Sequence, residues 1–195
     1  MTESQPASAH DEQRLYEAIT LAMYIHRDQY RRYTGEPYWK HLAEVAALTR
    51  LGTTATDALI TAWLHDAVED TGLQPGMLCA QFGERVRAGV LWLSCPALRD
   101  DEPRSERKAR AREQLSQAPG WVQTIKCADL ASNLSSIADH DPDFARTYVP
   151  ECRALYECLD DASPPLRMIA SKELVAAERK CFPAQAVSEA YSSIA

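Results

Sequence analysis

The apolar positions of this chain recur with helical spacing almost from end to end. Over residues 12–31, Leu15, Ala18, Ile19, Ala22, Met23 and Ile25 mark one face of a helix. Gly35 and Pro37 in "YTGEP" end it. A second helix over 38–51 carries Leu42, Val45, Ala46 and Leu48 as its inner stripe, and "LGTTATD" reads as a turn with a threonine placed to cap the next helix. That third helix contains "AWLHDAVEDTG" and stops near Gly72. "QPGMLCAQFGERVRAGVLWLSC" predicts a short helix and then a longer one, and "RDDEPRSERKARAREQL" a charged loop entering a solvated helix. "WVQTIKCADLASNLSSI" is apolar-periodic, and two further helices are expected over 143–161 and 165–182. No stretch alternates apolar and polar residues as a half-buried strand does. The expectation is an all-α fold: one helical bundle over 12–183, with a polar tail at 1–11 and a second tail at 184–195.

The third helix departs from the pattern. His65, Asp66, Glu69 and Asp70 fall within six positions, directly behind Leu59, Ile60, Ala62, Trp63 and Leu64. With about 100° per residue and His65 as origin, Glu69 lies at about 40°, Asp66 at about 100° and Asp70 at about 140°. Ile60, Leu64, Ala67 and Val68 fill the opposite arc. Leu59, Ala62 and Trp63 share the ionisable arc, which an open solvated face would not carry. The arrangement fits one wall of a cleft, where partly buried charges are paired or coordinate a metal. His65 beside Asp66 offers a nitrogen and an oxygen ligand to a divalent ion. Two other residues stand out, each with a structural alternative. His41 borders the apolar stripe of the second helix, where a satisfied core imidazole is the commoner reading. Asp129 sits inside an apolar helical window, where it suits a partner for Lys126 or for a backbone group.

Composition narrows the function. A net charge of −7 argues against a general nucleic-acid binder. No apolar run approaches the roughly 20 residues of a membrane span, and the first residues lack a secretory pattern. The six cysteines form no C-x-x-C pair, which argues against a thiolate zinc site and a disulfide framework and favours a reducing cytoplasm. The dense basic runs are "RDQYRR" and "RSERKARAR". They hold Arg31, Arg32, Arg104 and Lys108, local cations for an anionic ligand; a solvated helix face is the alternative for most of the second run.

The segments "HRDQYRRYTGEPYWKH", "AWLHDAVEDTG" and "IKCADLASNL", in this order and spacing, resemble the HD-domain hydrolases of the RelA/SpoT group. The likeness is strongest to the single-domain small alarmone hydrolases of the metazoan SpoT-homologue type, and it covers residues 12–160. The resemblance implies that His41, His65, Asp66 and Asp129 hold a metal, usually manganese, with iron, cobalt or zinc as substitutes. It implies that Glu69 and Asp70 are the acidic catalytic pair. It places Arg32 against the nucleotide base, Asn133 near the nucleotide, and Arg104 and Lys108 against phosphate; the sequence offers Arg31 as a further local cation. The implied reaction releases pyrophosphate from the 3′-diphosphate of a guanosine polyphosphate, with a small nucleotide as the partner rather than nucleic acid or membrane. Three positions depart from the pattern. Leu42 replaces the usual proline, Leu130 follows Asp129 in place of a cation, and Ser135 stands where a later arginine is common. Those departures keep other substrates in view, among them ppApp, NADPH, and nucleoside mono- or triphosphates. They also keep in view a catalytically silent nucleotide sensor.

Overall fold

A computed structural model describes residues 8–32, 34–95 and 102–183. Within them lie ten helices and no strand. They are α1 (Ala9–Ile25), α2 (Trp39–Thr49), α3 (Thr56–Leu64), α4 (Ala67–Thr71), α5 (Pro75–Phe82), α6 (Glu84–Leu93), α7 (Arg104–Ser116), α8 (Gly120–His140), α9 (Pro142–Tyr156) and α10 (Pro164–Cys181). The all-α expectation holds. No helix among the described residues is long and apolar enough to cross a membrane. The expected C-terminal tail at 184–195 lies outside the described residues.

The central element is α8, which packs against α2, α3, α6, α9 and α10. Its apolar and small residues are buried nearly all round, so it behaves as a core helix rather than an amphipathic one. One core cluster joins α8 to α9, α10 and parts of α2 and α3; a second joins α1, α3, α5 and α6. Trp63 packs against both and links them. The helix α7 buries only Leu115, in keeping with its charged sequence.

The close approach of α6 to α8 depends on a missing side chain. A Cβ at Gly89 would stand 2.3 Å from Trp121 Cη2 and 2.9 Å from Thr61 Cγ2. Gly89→Ala is therefore expected to destabilise the fold by about 1–3 kcal/mol through overpacking. That exceeds the ~1 kcal/mol that alanine gains over glycine in a helix. Denaturant unfolding measures it, and an unchanged midpoint would contradict the contact.

Several boundaries differ from the sequence expectation, each for a local reason. The first helix ends at Ile25, not near residue 31, because His26 turns inward and is fully buried. The chain then folds back in a loop closed by an antiparallel bridge between Tyr30 and Pro37, with Gly35 at φ 67°. No threonine side chain caps α3; its N-cap is Ala55, and Thr53 Oγ1 instead accepts from the Ala55 N–H at 3.2 Å. The expected helix over 143–161 stops at Tyr156. Beyond it, Gln123 Oε1 and Thr124 Oγ1 on α8 accept from the N–H groups of Asp161 and Ser163, each at 2.9 Å, tying that turn to the core.

The third predicted helix is two. It ends at Leu64, and α4 starts at Ala67. The His65 imidazole Nδ1 lies 2.8 Å from the Ala62 carbonyl, the acceptor that a continuous helix would offer to the Asp66 N–H. Asp66 takes φ −96°, ψ −1°, and its own carbonyl accepts from the Asp70 N–H at 2.9 Å to start the new turn. Gly72, at φ 70°, closes α4 as expected, its N–H reaching Ala67 O.

Candidate metal centre

Three elements bring the predicted residues together. His41 comes from the first turn of α2, His65 and Asp66 from the α3–α4 break, and Asp129 from the middle of α8. The break matters because it turns two successive side chains toward one point, which a continuous helix would separate by about 100°. His41, His65 and Asp129 are buried. His41 Nε2 lies 3.8 Å from Asp66 Oδ2 and 3.3 Å from Asp129 Oδ1. His65 Nε2 lies 3.0 Å and 3.8 Å from the same two atoms. Two donors bound at right angles to one ion at about 2.2 Å stand roughly 3 Å apart, so these spacings suit a shared cation.

Two further observations fit a metal. The ligand atoms of His41, His65 and Asp66 all lie within 4.8 Å of one another. His65 Nε2 is buried without a hydrogen-bond partner, although Asp66 Oδ2 is 3.0 Å away. Contact without hydrogen-bond alignment between a buried imidazole and a carboxylate is what an intervening cation relieves. The cluster can hold a divalent metal.

The electrostatics have the same origin. Burial alone would lower the His65 pKa, but Asp66 and Asp129 outweigh it and raise it to about 10. Burial likewise opposes the charged form of Asp66, yet the His65 ring beside it holds that carboxyl down at about 2. Asp129 is also buried, and Lys126 keeps it ionised well below the usual carboxylate range. Lys126 Nζ donates to Asp129 Oδ2 at 2.7 Å, while Oδ1 faces the histidines and accepts from Asn133 Nδ2 at 2.7 Å. Oδ2 thus meets the Lys126 reading of Asp129, and Oδ1 is the oxygen turned toward the two imidazoles.

Asp70 flanks this cluster. Burial raises its pKa to about 6, with Asp66 and Glu69 adding to the effect. Glu69 is exposed, and its Oε2 accepts from the Cys95 N–H at 2.9 Å. Beside Asp129, a cleft between α6, α7, α8 and α9 encloses a cavity of about 60 Å³. Lys108, Arg112 and Lys126 line it together with Leu93, Leu130 and Tyr148. The other predicted ligand-binding residues are dispersed. Arg31 is held by Glu44 and Ser132. Arg32 is exposed in the α1–α2 loop. Arg104 pairs with Glu151 at 2.8 and 2.9 Å and lies over the Phe144 ring.

Sequence reasoning passed over Tyr38. Its hydroxyl donates to Asp66 Oδ2 at 2.7 Å, and its ring stacks on buried His26 with centroids 5.3 Å apart. The available signal was its place one turn before His41, on the same helix face.

An all-α bundle in which a His–Asp pair at a helix break meets a second His and a second Asp from flanking helices defines the HD class of helical metal-binding domains. The chain belongs to the HD-domain family, whose profile matches residues 18–163. It is 35% identical over 130 residues to the guanosine-3′,5′-bis(diphosphate) 3′-pyrophosphohydrolase MESH1 of Mus musculus, covering 64% of this chain and 68% of that one. The Homo sapiens MESH1 matches with the same identity and coverage. Among solved structures, a metazoan orthologue of SpoT described as hydrolysing ppGpp aligns with a TM-score of 0.76 at 22% identity. That alignment covers 89% of this chain and 98% of the other, and it shows the shared fold.

Proposed function

We propose that this protein is a manganese-dependent hydrolase that releases pyrophosphate from the 3′-diphosphate of guanosine 3′,5′-bis(diphosphate). The observation that carries the reading is the convergence of His41, His65, Asp66 and Asp129 on one point, with Asp70 at its flank. The activity in the names of the 35%-identical relatives supports the substrate. His41, His65, Asp66 and Asp129 would hold the ion, which when bound supplies Lewis-acid polarisation of the phosphoryl group and acidifies a water; iron, cobalt or zinc would serve in its place.

The chain's own groups do the rest. Asp70 takes the proton of the attacking water, and its raised pKa brings it toward the operating range of a general base. Glu69, anchored by the Cys95 N–H, helps keep that pKa up. Lys108 offsets phosphate charge from the cleft side, Arg104 would add to it on leaving its Glu151 pair, and Arg31 adds positive charge behind the metal ligands. Arg32 lies against the base, and Asn133 steadies Asp129 while facing the nucleotide.

One observation favours a second substrate. Leu130 lines the cleft where the family resemblance predicts a cation, leaving less charge to grip the phosphates. The adenosine analogue ppApp is therefore proposed as a co-substrate. A panel of ppGpp, ppApp, NADPH, GTP and dATP at equal concentration with manganese tests both. Pyrophosphate from ppGpp, with ppApp second, is the expected result. Hydrolysis of the triphosphates with ppGpp left intact would replace the alarmone reading with a general nucleotide phosphohydrolase, and no turnover of any would favour a sensor.

A further inference from the structure

The hydroxyl of Ser132 sits behind His41, on the side away from the carboxylates. It is fully buried, and three groups converge on it. His41 Nδ1 lies at 2.9 Å, Glu44 Oε2 at 2.7 Å and Arg31 Nη2 at 3.4 Å. Arg31 also donates to the Ser132 carbonyl at 3.3 Å and lies 3.4 Å from Glu44 Oε2 through Nη1. A serine hydroxyl has one proton to give and two lone pairs to share. A carboxylate only accepts and a guanidinium only donates. The Ser132 proton must therefore go to Glu44, and its lone pairs to Arg31 and His41. His41 is then obliged to donate through Nδ1–H, which leaves the Nε2 lone pair facing Asp66 and Asp129. By the same logic the Ala62 carbonyl, which only accepts, keeps a proton on His65 Nδ1.

We propose that Glu44 and Ser132 form a carboxylate–serine–histidine relay, braced by Arg31, that positions His41 as a metal ligand through Nε2. The relay lengthens by one hydroxyl the carboxylate–histidine arrangement common behind metal-bound imidazoles. It gives Arg31 a role in holding Glu44 and the Ser132 carbonyl, and it explains why a carboxylate follows His41 by one helical turn. The proposal rests on His41 being a ligand, as read above.

Manganese affinity, measured by calorimetry or equilibrium dialysis on the full chain, tests it. Ser132→Ala is expected to weaken manganese binding about 10-fold or more, in the range found for outer-shell partners of metal ligands. Ser132→Thr, which keeps the hydroxyl, should restore most of the affinity. Glu44→Ala, at a half-exposed position that tolerates truncation, should weaken binding several-fold. The double variant should be little worse than Ser132→Ala alone, because both changes break one chain. At saturating manganese Ser132→Ala should recover turnover with KM for ppGpp unchanged, which a general loss of structure would not permit. Wild-type manganese affinity in Ser132→Ala, or strict additivity of the two changes, overturns the relay. His41→Ala separates the two levels of inference. If it keeps its manganese, the ligand assignment itself fails; if it loses the metal while Ser132→Ala keeps full affinity, only the relay fails.

Discussion

Replacing His65 with alanine is expected to strip the metal from the protein and reduce hydrolysis to background. His65 is 3% exposed, and its ring is fixed from behind by the Ala62 carbonyl. Removing one of the four proposed protein ligands leaves a site with too few donors to hold a labile divalent ion. The loss reaches the metal-free protein as well. There the His65 imidazolium is the charge that keeps Asp66 ionised at about 2 and helps Asp129. Without it, two acidic groups share a site with Lys126 and His41 beside them, and removing one partner of a buried ion pair costs about 3–5 kcal/mol. Asp66 is then expected to titrate at higher pH. Metal analysis after dialysis, with Asp129→Asn as the milder companion, checks the first point. Calorimetry checks the charge. In the metal-free wild type His65 is protonated up to a pKa of about 10, and a metal needs the neutral ring. Manganese binding at pH 7.5 should thus release about one proton, so metal affinity falls as pH falls. Equal binding enthalpies in buffers of different ionisation heat would contradict this.

The amount of this site that could be read from the chain follows from how far apart its parts are. His65, Asp66, Glu69 and Asp70 fall within six positions, and their conflict with the apolar run around them was visible without any structure. The angular reading treated them as one helix. It could not anticipate that the His65 ring would reach the Ala62 carbonyl and open the helix there. His41 and Asp129 were legible only as misfits in apolar stripes. Lys126, three residues from Asp129, was legible as its partner; Ser132, 91 residues from His41, and Tyr38, 28 from Asp66, were not. Helical periodicity reports which face of an element is buried, not which distant element meets it. The end of α1 failed for a related reason. His26 continues the helical pattern in sequence, but its burial against Tyr38, twelve residues on, is tertiary. Arg31 shows the converse. A basic run is legible, but whether its arginine meets a ligand or a glutamate on the next helix is decided by packing.

Asp70→Asn is expected to leave metal and nucleotide binding in place and to lower kcat on the order of 100-fold or more, the usual effect of losing a general base. The substitution keeps the side-chain volume and removes only the charge, and the structural role of residue 70 is carried by its backbone. Its N–H donates to Asp66 O at 2.9 Å, and its carbonyl accepts from Gln29 Nε2 at 3.2 Å. The pH dependence gives a second signature. Burial, then Asp66 and Glu69, raise the Asp70 pKa to about 6 in the metal-free protein. A cation beside Asp66 favours the carboxylate, so the acid limb of kcat/KM in the loaded enzyme should lie at or below pH 6 and be absent from the residual activity of the variant. Stability should move the opposite way. A carboxyl whose folded pKa is raised contributes stability below its unfolded pKa of 3.8 and loses that contribution as pH rises through about 6. At pH 7 the wild-type charge is therefore a burden, and metal-free Asp70→Asn should be more stable. The gain is on the order of 1 kcal/mol, less than the full shift would give because the group is partly solvated. A variant that melts higher than wild type above pH 6, equals it near pH 4, and turns over at least 100-fold more slowly would identify Asp70 as a residue kept for chemistry at the expense of the fold. Wild-type turnover in the variant would remove Asp70 from the mechanism.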